Sequence, residues 1–243
     1  MKKVNLYGVL LFLAMIFLLS SCISDIIGVT GKGKVVSEAR QVSAFDAIEM
    51  LGNTDVDIIK ADTFGVVVSD YENLLEYMDI SVNDKVLTIK KVSSTKLIYN
   101  SVAKITVTLP DPLYTVTLGG SGDINVNSPF NDIQTAKILG VGNISMMKNA
   151  QYSDLKLALI GSGNIEVNGA TENVTTSILG SGNLNLPSLA ANKADCNISG
   201  VGNIYINAIS ELKAVISGKG KIEYFGNPVV NTTITGTGSV VHK

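Results

Sequence analysis

An all-β chain coiled into a parallel β-helix, about 20 residues to the turn, is the fold class this sequence predicts, and three observations carry it. A Gly-x-Gly unit followed by a polar residue and a branched aliphatic recurs seven times between Gly120 and Val240, at intervals of 18 to 21 residues. Apolar and polar residues alternate on both sides of each unit. The phase of that alternation never changes from one copy to the next. A fixed period near 20 residues marks a solenoid, period two marks a strand, and constant phase marks a face that is always buried.

The first 21 residues stand apart from this pattern. Lys2 and Lys3 precede an apolar stretch from Leu6 to Leu19, and Leu19-Ser-Ser-Cys22 follows. A basic start, a short apolar core and small residues before a cut read as a secretory signal over 1–21. The apolar stretch falls short of the roughly 20 residues a membrane-spanning helix needs. The ending resembles the bacterial lipoprotein cleavage box, which makes Cys22 the mature amino terminus, carrying palmitate and other lipid. Residues 22–33, with Gly28, Gly31 and Gly33, read as a lipidated tether. Ile23 at the second mature position, where Asp is absent, is compatible with an outer-membrane lipoprotein.

Removing Lys2 and Lys3 takes the formal charge from −2 to −4, with no basic face for nucleic acid. Cys22 and Cys196 are the only cysteines, so acylation of Cys22 leaves Cys196 unpaired and excludes a disulfide framework.

The segment 34–112 is strand-rich but less uniform, and reads as a capping part. Ala44 to Met50, Asp55 to Lys60 and Phe64 to Ser69 read as strands, with Leu51-Gly-Asn-Thr-Asp55 a weakened glycine corner. Ser69-Asp-Tyr-Glu72 offers a capping box for one short helix over Tyr71 to Tyr77. Asp79 to Val82 and Lys85 to Lys91 flank Asn83-Asp84 as a hairpin. Lys104 to Leu109 is a further strand, stopped by Pro110 and Pro112. A solenoid needs its ends covered, and this segment is assigned partly to that role. At the other end, charge at Lys219, Lys221, His242 and Lys243 opposes end-to-end stacking.

The regular repeats occupy 113–243. Two residues before the first glycine of each copy stand Leu118, Ile138, Leu159, Ile178, Ile198, Ile216 and Ile234. Two before those are Val116, Ala136, Leu157, Thr176, Cys196, Ala214 and Thr232. Four after the first glycine come Ile124, Ile144, Ile165, Leu184, Ile204, Ile222 and Val240. Each turn has room for two or three short strands but not for a strand, a helix and two loops. Equivalent strands then pair one turn on at about 4.8 Å, and seven turns give a rod roughly 34 Å long. The pairs Gly120 and Gly122, Gly140 and Gly142, Gly161 and Gly163, Gly180 and Gly182, Gly200 and Gly202, Gly218 and Gly220, and Gly236 and Gly238 mark the corners. Asn143, Asn164, Asn183 and Asn203 stack as a side-chain ladder.

No constellation in the chain points to catalysis, a cofactor or a metal. Each Gly-x-Gly leads into a strand, whereas a dinucleotide fingerprint opens a helix. Gly119-Gly-Ser-Gly-Asp-Ile124 looks like one calcium nonapeptide, but other turns carry Asn, Lys or Ser at the position of Asp123. Along the outward column Asn125, Ser145, Glu166, Asn185, Tyr205, Glu223 and Val241, the two glutamates stand three turns apart, about 14 Å. Paired glycosidase carboxyls lie roughly 5 to 9.5 Å apart. The sole histidine, His242, is next to the carboxyl terminus, where fraying is expected. Acids of the first part, Asp55, Asp57, Asp70, Glu72 and Asp79, read as turn and surface residues. Short polar side chains, Ser121, Ser162, Ser181 and Thr237, form an outer column of the kind along which solenoids bind repeating polymers.

Gly31-Lys-Gly-Lys-Val35, Arg40-Gln-Val-Ser-Ala-Phe45-Asp-Ala-Ile48, Asn73-Leu-Leu75 and the serial Gly-x-Gly-Asn-Ile units together resemble the head GIN domain family, the "putative auto-transporter adhesins" of Bacteroidetes lipoproteins. The likeness covers nearly all of the chain after Cys22. It implies a right-handed, single-stranded parallel β-helix and a cell-envelope location, and supplies no catalytic residues. Leu51-Gly-Asn-Thr-Asp55 departs from the family's usual Gly-x-Gly corner. The expectation is a lipid-anchored envelope protein, held to the membrane through lipid on Cys22, whose rod is an adhesive or spacer module for glycan or cell-surface polymer. A carbohydrate-active lyase or hydrolase and a purely structural envelope protein are the alternatives.

Overall fold

The computed structural model describes residues 28–92 and 98–243. The leader 1–21, Cys22 and the first part of the tether lie outside the described residues. The architecture is a stacked parallel β-solenoid with about 20 residues per turn.

Its first part contains β1 (Val29–Thr30), β2 (Val35–Arg40), β3 (Ala47–Met50), β4 (Asp55–Lys60), β5 (Gly65–Tyr71), β6 (Met78–Asn83), β7 (Val86–Lys91), β8 (Ile98–Tyr99) and β9 (Lys104–Leu109). The spatial order differs from the chain order. β3 and β4 form one solenoid turn, while β7 and β9, which come later in sequence, lie beneath it in parallel. Antiparallel strands then cover that end: β6 pairs with β7, β5 with β9, and β2 with β5. The edges of the first turn are thereby occupied, which removes a template for aggregation.

Two local expectations need correction. The helix is a 3₁₀ segment, Glu72–Tyr77, with no side-chain cap. Ser69 cannot cap it, because β5 runs through Ser69, which pairs with Ser37 on one side and Lys104 on the other. The hairpin turn is Asp84-Lys85, one residue later than expected. Both have positive φ, 49° and 63°, as the tight primed turn requires, and Asn83 stays in the ladder opposite Val86.

The regular part follows as β10 (Thr115–Leu118), β11 (Ile124–Val126), β12 (Thr135–Ile138), β13 (Val141–Leu159), β14 (Ser162–Ile178), β15 (Ser181–Ile198), β16 (Val201–Ile216), β17 (Lys219–Phe225), β18 (Val229–Ile234) and β19 (Thr237–His242). Seven corners stack in register but delimit about six turns, not seven, because a turn is the interval between corners. The aliphatic columns pair as the phase of the sequence requires: Leu118 with Ile138, then Leu159, Ile178, Ile198, Ile216 and Ile234. All but the last are fully buried, and Ile234 in the final turn is 42% exposed.

A third side of each turn carries a further inward column, Tyr152, Thr171, Ala191 and Ala208. It narrows from a phenol to a methyl toward the carboxyl end. Cys196 packs between Thr176 and Ala214, and burial pushes its thiol up to about 12, which leaves it protonated and inert.

The end opposite the cap is held by charge. Lys221 Nζ meets Glu223 Oε1 at 3.0 Å and Lys243 Nζ approaches Glu223 Oε2 at 3.5 Å. The Lys221 hydrogen bond holds the Glu223 carboxyl below its ordinary value, with Lys243 assisting. His242, expected to fray, lies on β19 with Nε2 2.8 Å from the Gly226 carbonyl oxygen and its ring 5.0 Å from that of Tyr224. A carboxylate held low stabilises the fold above its unfolded pKa, and the contribution is lost as pH falls through the lower folded value. The last turns should therefore loosen first below about pH 4.5. Hydrogen exchange of the β17 and β19 amides checks this, and Glu223→Gln should abolish the pH dependence.

Candidate functional site

The asparagines after the glycine pairs form a continuous hydrogen-bonded seam. Asn143 Nδ2 donates to Asp123 Oδ1 at 2.9 Å, Asn164 Nδ2 to Asn143 Oδ1 at 2.9 Å, Asn183 Nδ2 to Asn164 Oδ1 at 3.1 Å and Asn203 Nδ2 to Asn183 Oδ1 at 3.0 Å. The backbone N–H of each rung donates to the same oxygen, at 2.9 to 3.2 Å. The seam runs one rung further at each end, with Asp123 N–H donating to Asp55 Oδ1 and Lys221 N–H to Asn203 Oδ1. Every amide points its donor toward the capped end, so the terminal rung need only accept. That explains Asp at position 123, a residue that in sequence resembles part of a calcium motif.

Asn164→Ala should cost about 1–3 kcal/mol, because the side-chain amide of Asn183 then loses its acceptor in a partly buried setting. Urea denaturation at neutral pH reads the loss.

The glycine pairs beside the seam leave no room for side chains. A Cβ on Gly180 would sit 1.9 Å from the Gly161 carbonyl oxygen, and one on Gly182, where φ is +141°, only 1.7 Å from that of Gly163. Backbone of successive turns touches here, which excludes the glycines as open binding loops.

The acids of the first part are engaged in the framework. Asp57 accepts from Asn125 Nδ2 and Asn127 Nδ2 and pairs with Lys104. Asp70, 3% exposed, accepts from the N–H groups of Tyr71 and Val102 and from Ser101 Oγ. Asp79 pairs with Lys90. Among the described residues no group of three or more His, Cys, Asp or Glu is arranged to hold a metal ion. The hydroxyl column is discontinuous: Ser162 and Ser181 are neighbours, but exposed Val141 and Val201 stand on either side of them.

A different part of the outer face is concave. Bulges between the second and third sides give β13 and β15 extra residues relative to β14 and β16. Met147 and Pro187 therefore stand proud, and the shorter turns between and beyond them form a groove of about 360 Å³ lined by Glu166, Asn185, Tyr205 and Phe225. Asn185 Nδ2 donates to Glu166 Oε1 at 3.1 Å. The arrangement sets two aromatic rings and a proline beside a carboxylate–amide pair on an open trough. Sequence reasoning placed Glu166, Asn185 and Tyr205 in one outward column. It missed Met147 and Pro187, whose positions depend on the bulges, and Phe225, two residues beyond Glu223 of that column on β17.

Fold and outer face together define a parallel β-solenoid with a shallow groove on its lateral surface. The chain belongs to the head GIN domain family, described as "putative auto-transporter adhesin", whose pattern matches residues 44–228. The fold is similar to that of a putative adhesin from Bacteroides fragilis, with a TM-score of 0.79 at 22% identity over 89% of this chain and 100% of that one. A putative lipid binding protein from Parabacteroides distasonis gives 0.73 at 26% identity over 88% and 99%. A putative adhesin from Parabacteroides merdae gives 0.67 at 26% identity over 89% and 99%. No curated protein matches the chain. No helix among the described residues is long and apolar enough to cross a membrane.

Proposed function

We propose that the protein is a lipid-anchored, non-catalytic module of the cell envelope that binds glycan in the groove between Met147 and Phe225. The observation that carries this reading is the pairing of aromatic rings with a carboxylate–amide pair on one open surface. A pyranose ring presents an apolar C–H face and a polar rim. Tyr205 and Phe225 suit the first, and Glu166 and Asn185 suit the second. The adhesin description of the family and of two structural neighbours accords with such a surface.

The neighbour called a putative lipid binding protein raises an acyl chain as a second occupant, favoured by Met147, Val167 and Pro187 in the lining. An open trough leaves most of such a chain in water, whereas a sugar needs cover on one face only. The anchor is lipid on Cys22, in the outer membrane.

A glycoside hydrolase would need a second carboxyl in the groove. Glu223 is three turns from Glu166 and committed to two lysines. A purely structural role predicts no ligand at all.

The test is a broad glycan array probed with the chain from Cys22 onward and with Tyr205→Ala. Removing one stacking ring should weaken binding about tenfold, the equivalent of roughly 1.4 kcal/mol. Silence of the wild-type protein across the array, or equal binding by the variant, would count against the groove.

A further inference from the structure

The outer edge of the glycine corners carries a feature that neither the seam nor the groove uses. The residue just before each first glycine faces outward. In three successive turns it is a large aliphatic, Leu139, Ile160 and Leu179, exposed by 42, 48 and 56%. Val141 and Val201, at the middle of their Gly-x-Gly units, are 60 and 53% exposed alongside. Leu51 extends the line toward the capped end, because Gly119 above it has no side chain: a Cβ there would lie 2.5 Å from Leu51 Cδ2. From Leu51 to Leu179 the ridge crosses four inter-turn steps, about 19 Å. Beyond it the same column turns polar, with Ser217 Oγ 3.2 Å from Ser199 Oγ. A contiguous exposed aliphatic surface of this kind marks a contact with something apolar.

The path of the chain identifies that contact. The described residues begin at Gly28, and Val29 and Thr30 pair with Ile98 and Tyr99. Ile98 and Asn100 border the same recess as Asn53, Thr54 and Lys91, at the foot of the ridge. The chain therefore enters the fold beside Leu51. Five residues separate Cys22 from Gly28, six chain steps that span at most about 22 Å. A lipid on Cys22 holds Gly28 within that distance of the bilayer, with the recess at the foot of the ridge close by. Lys90 and Lys91 line a shallow recess with Leu51 there, and Lys90 also pairs with Asp79.

We infer that the ridge from Leu51 to Leu179 rests on a lipid surface, so that the rod lies along the membrane and does not stand on its tether. The inference rests on the Cys22 anchor. The groove stays accessible, since Glu166 lies four strand residues from Ser162 at the corner, about 13 Å away.

The experiment uses the full lipidated protein in phosphatidylethanolamine–phosphatidylglycerol vesicles whose acyl chains carry nitroxide. A fluorophore is placed through Ile160→Cys on the ridge or through Lys193→Cys on the third side of the rod. Buried Cys196 stays unlabelled. Quenching at Ile160 should exceed that at Lys193 severalfold, and a probe at Leu139→Cys should lose most of its quenching when Ile160→Ser and Leu179→Ser are added. Vesicle flotation of the same sample reads the anchor separately. Flotation with equal quenching at both sites overturns the ridge assignment alone. Failure to float overturns the anchor and the ridge assignment with it. Energy transfer between Ile160 probes without lipid quenching would show a second copy on the ridge, and overturns the assignment.

Discussion

Gly182→Ala is expected to prevent the central turns from forming. The new Cβ would lie 1.7 Å from the Gly163 carbonyl oxygen and 2.8 Å from its carbonyl carbon, at a φ of +141° that an L side chain rarely adopts. The closest clash is with the backbone of the preceding turn, so no rotamer change relieves it. Opening it means separating β14 from β15, which also breaks the Asn164–Asn183 rung. A loss of about 4 kcal/mol or more follows, at the upper end of single-residue effects. Urea denaturation should show either a collapse of the midpoint or no folded baseline. Wild-type stability would contradict the corner geometry.

Ile198→Ala ranks next. Ile198 is fully buried in the column between Ile178 and Ile216, with no polar partner to complicate the change. Removing three carbons from a packed column should cost about 2–5 kcal/mol, set by how far the neighbours collapse. In a solenoid each turn touches only the next. The loss of hydrogen-exchange protection should therefore be greatest in β14 to β16 and smaller at the cap. A uniform loss along the rod would contradict the turn-by-turn account.

These two positions also show why so much of the fold was legible in the sequence. Gly182 and Ile198 belong to patterns that repeat seven times, and repetition turns weak local signals into a strong one. The seam is legible for the same reason, although Asp55 and Asp123 gain meaning only when the direction of the amides is known. The third side was not legible. The irregularities between Met146 and Ala150 and between Glu166 and Gly169 shift the phase, so Tyr152, Thr171 and Ala191 share a column that no constant spacing reveals.

The first part was partly legible. Its strands follow from alternation, but β7 and β9 slip beneath β3 and β4 through long-range pairing that leaves no local trace. The candidate groove is half visible for a related reason. Glu166, Asn185 and Tyr205 lie in a regular column, while Pro187 reaches it only through unequal corner lengths and Phe225 from the next outward position on β17. The glycine repeat is thus a statement about architecture, and the candidate groove sits where the repeat is least regular.

The account stands or falls on whether the groove faces the outside of the cell. Ser188→Cys places a thiol on its exposed rim, while Cys196 is buried and Cys22, in this account, is acylated. Intact cells producing this variant would be treated with a membrane-impermeant maleimide. Labelling at residue 188 without permeabilisation is the predicted result. Labelling only after the outer membrane is opened would place the groove inside the envelope and contradict an adhesive role.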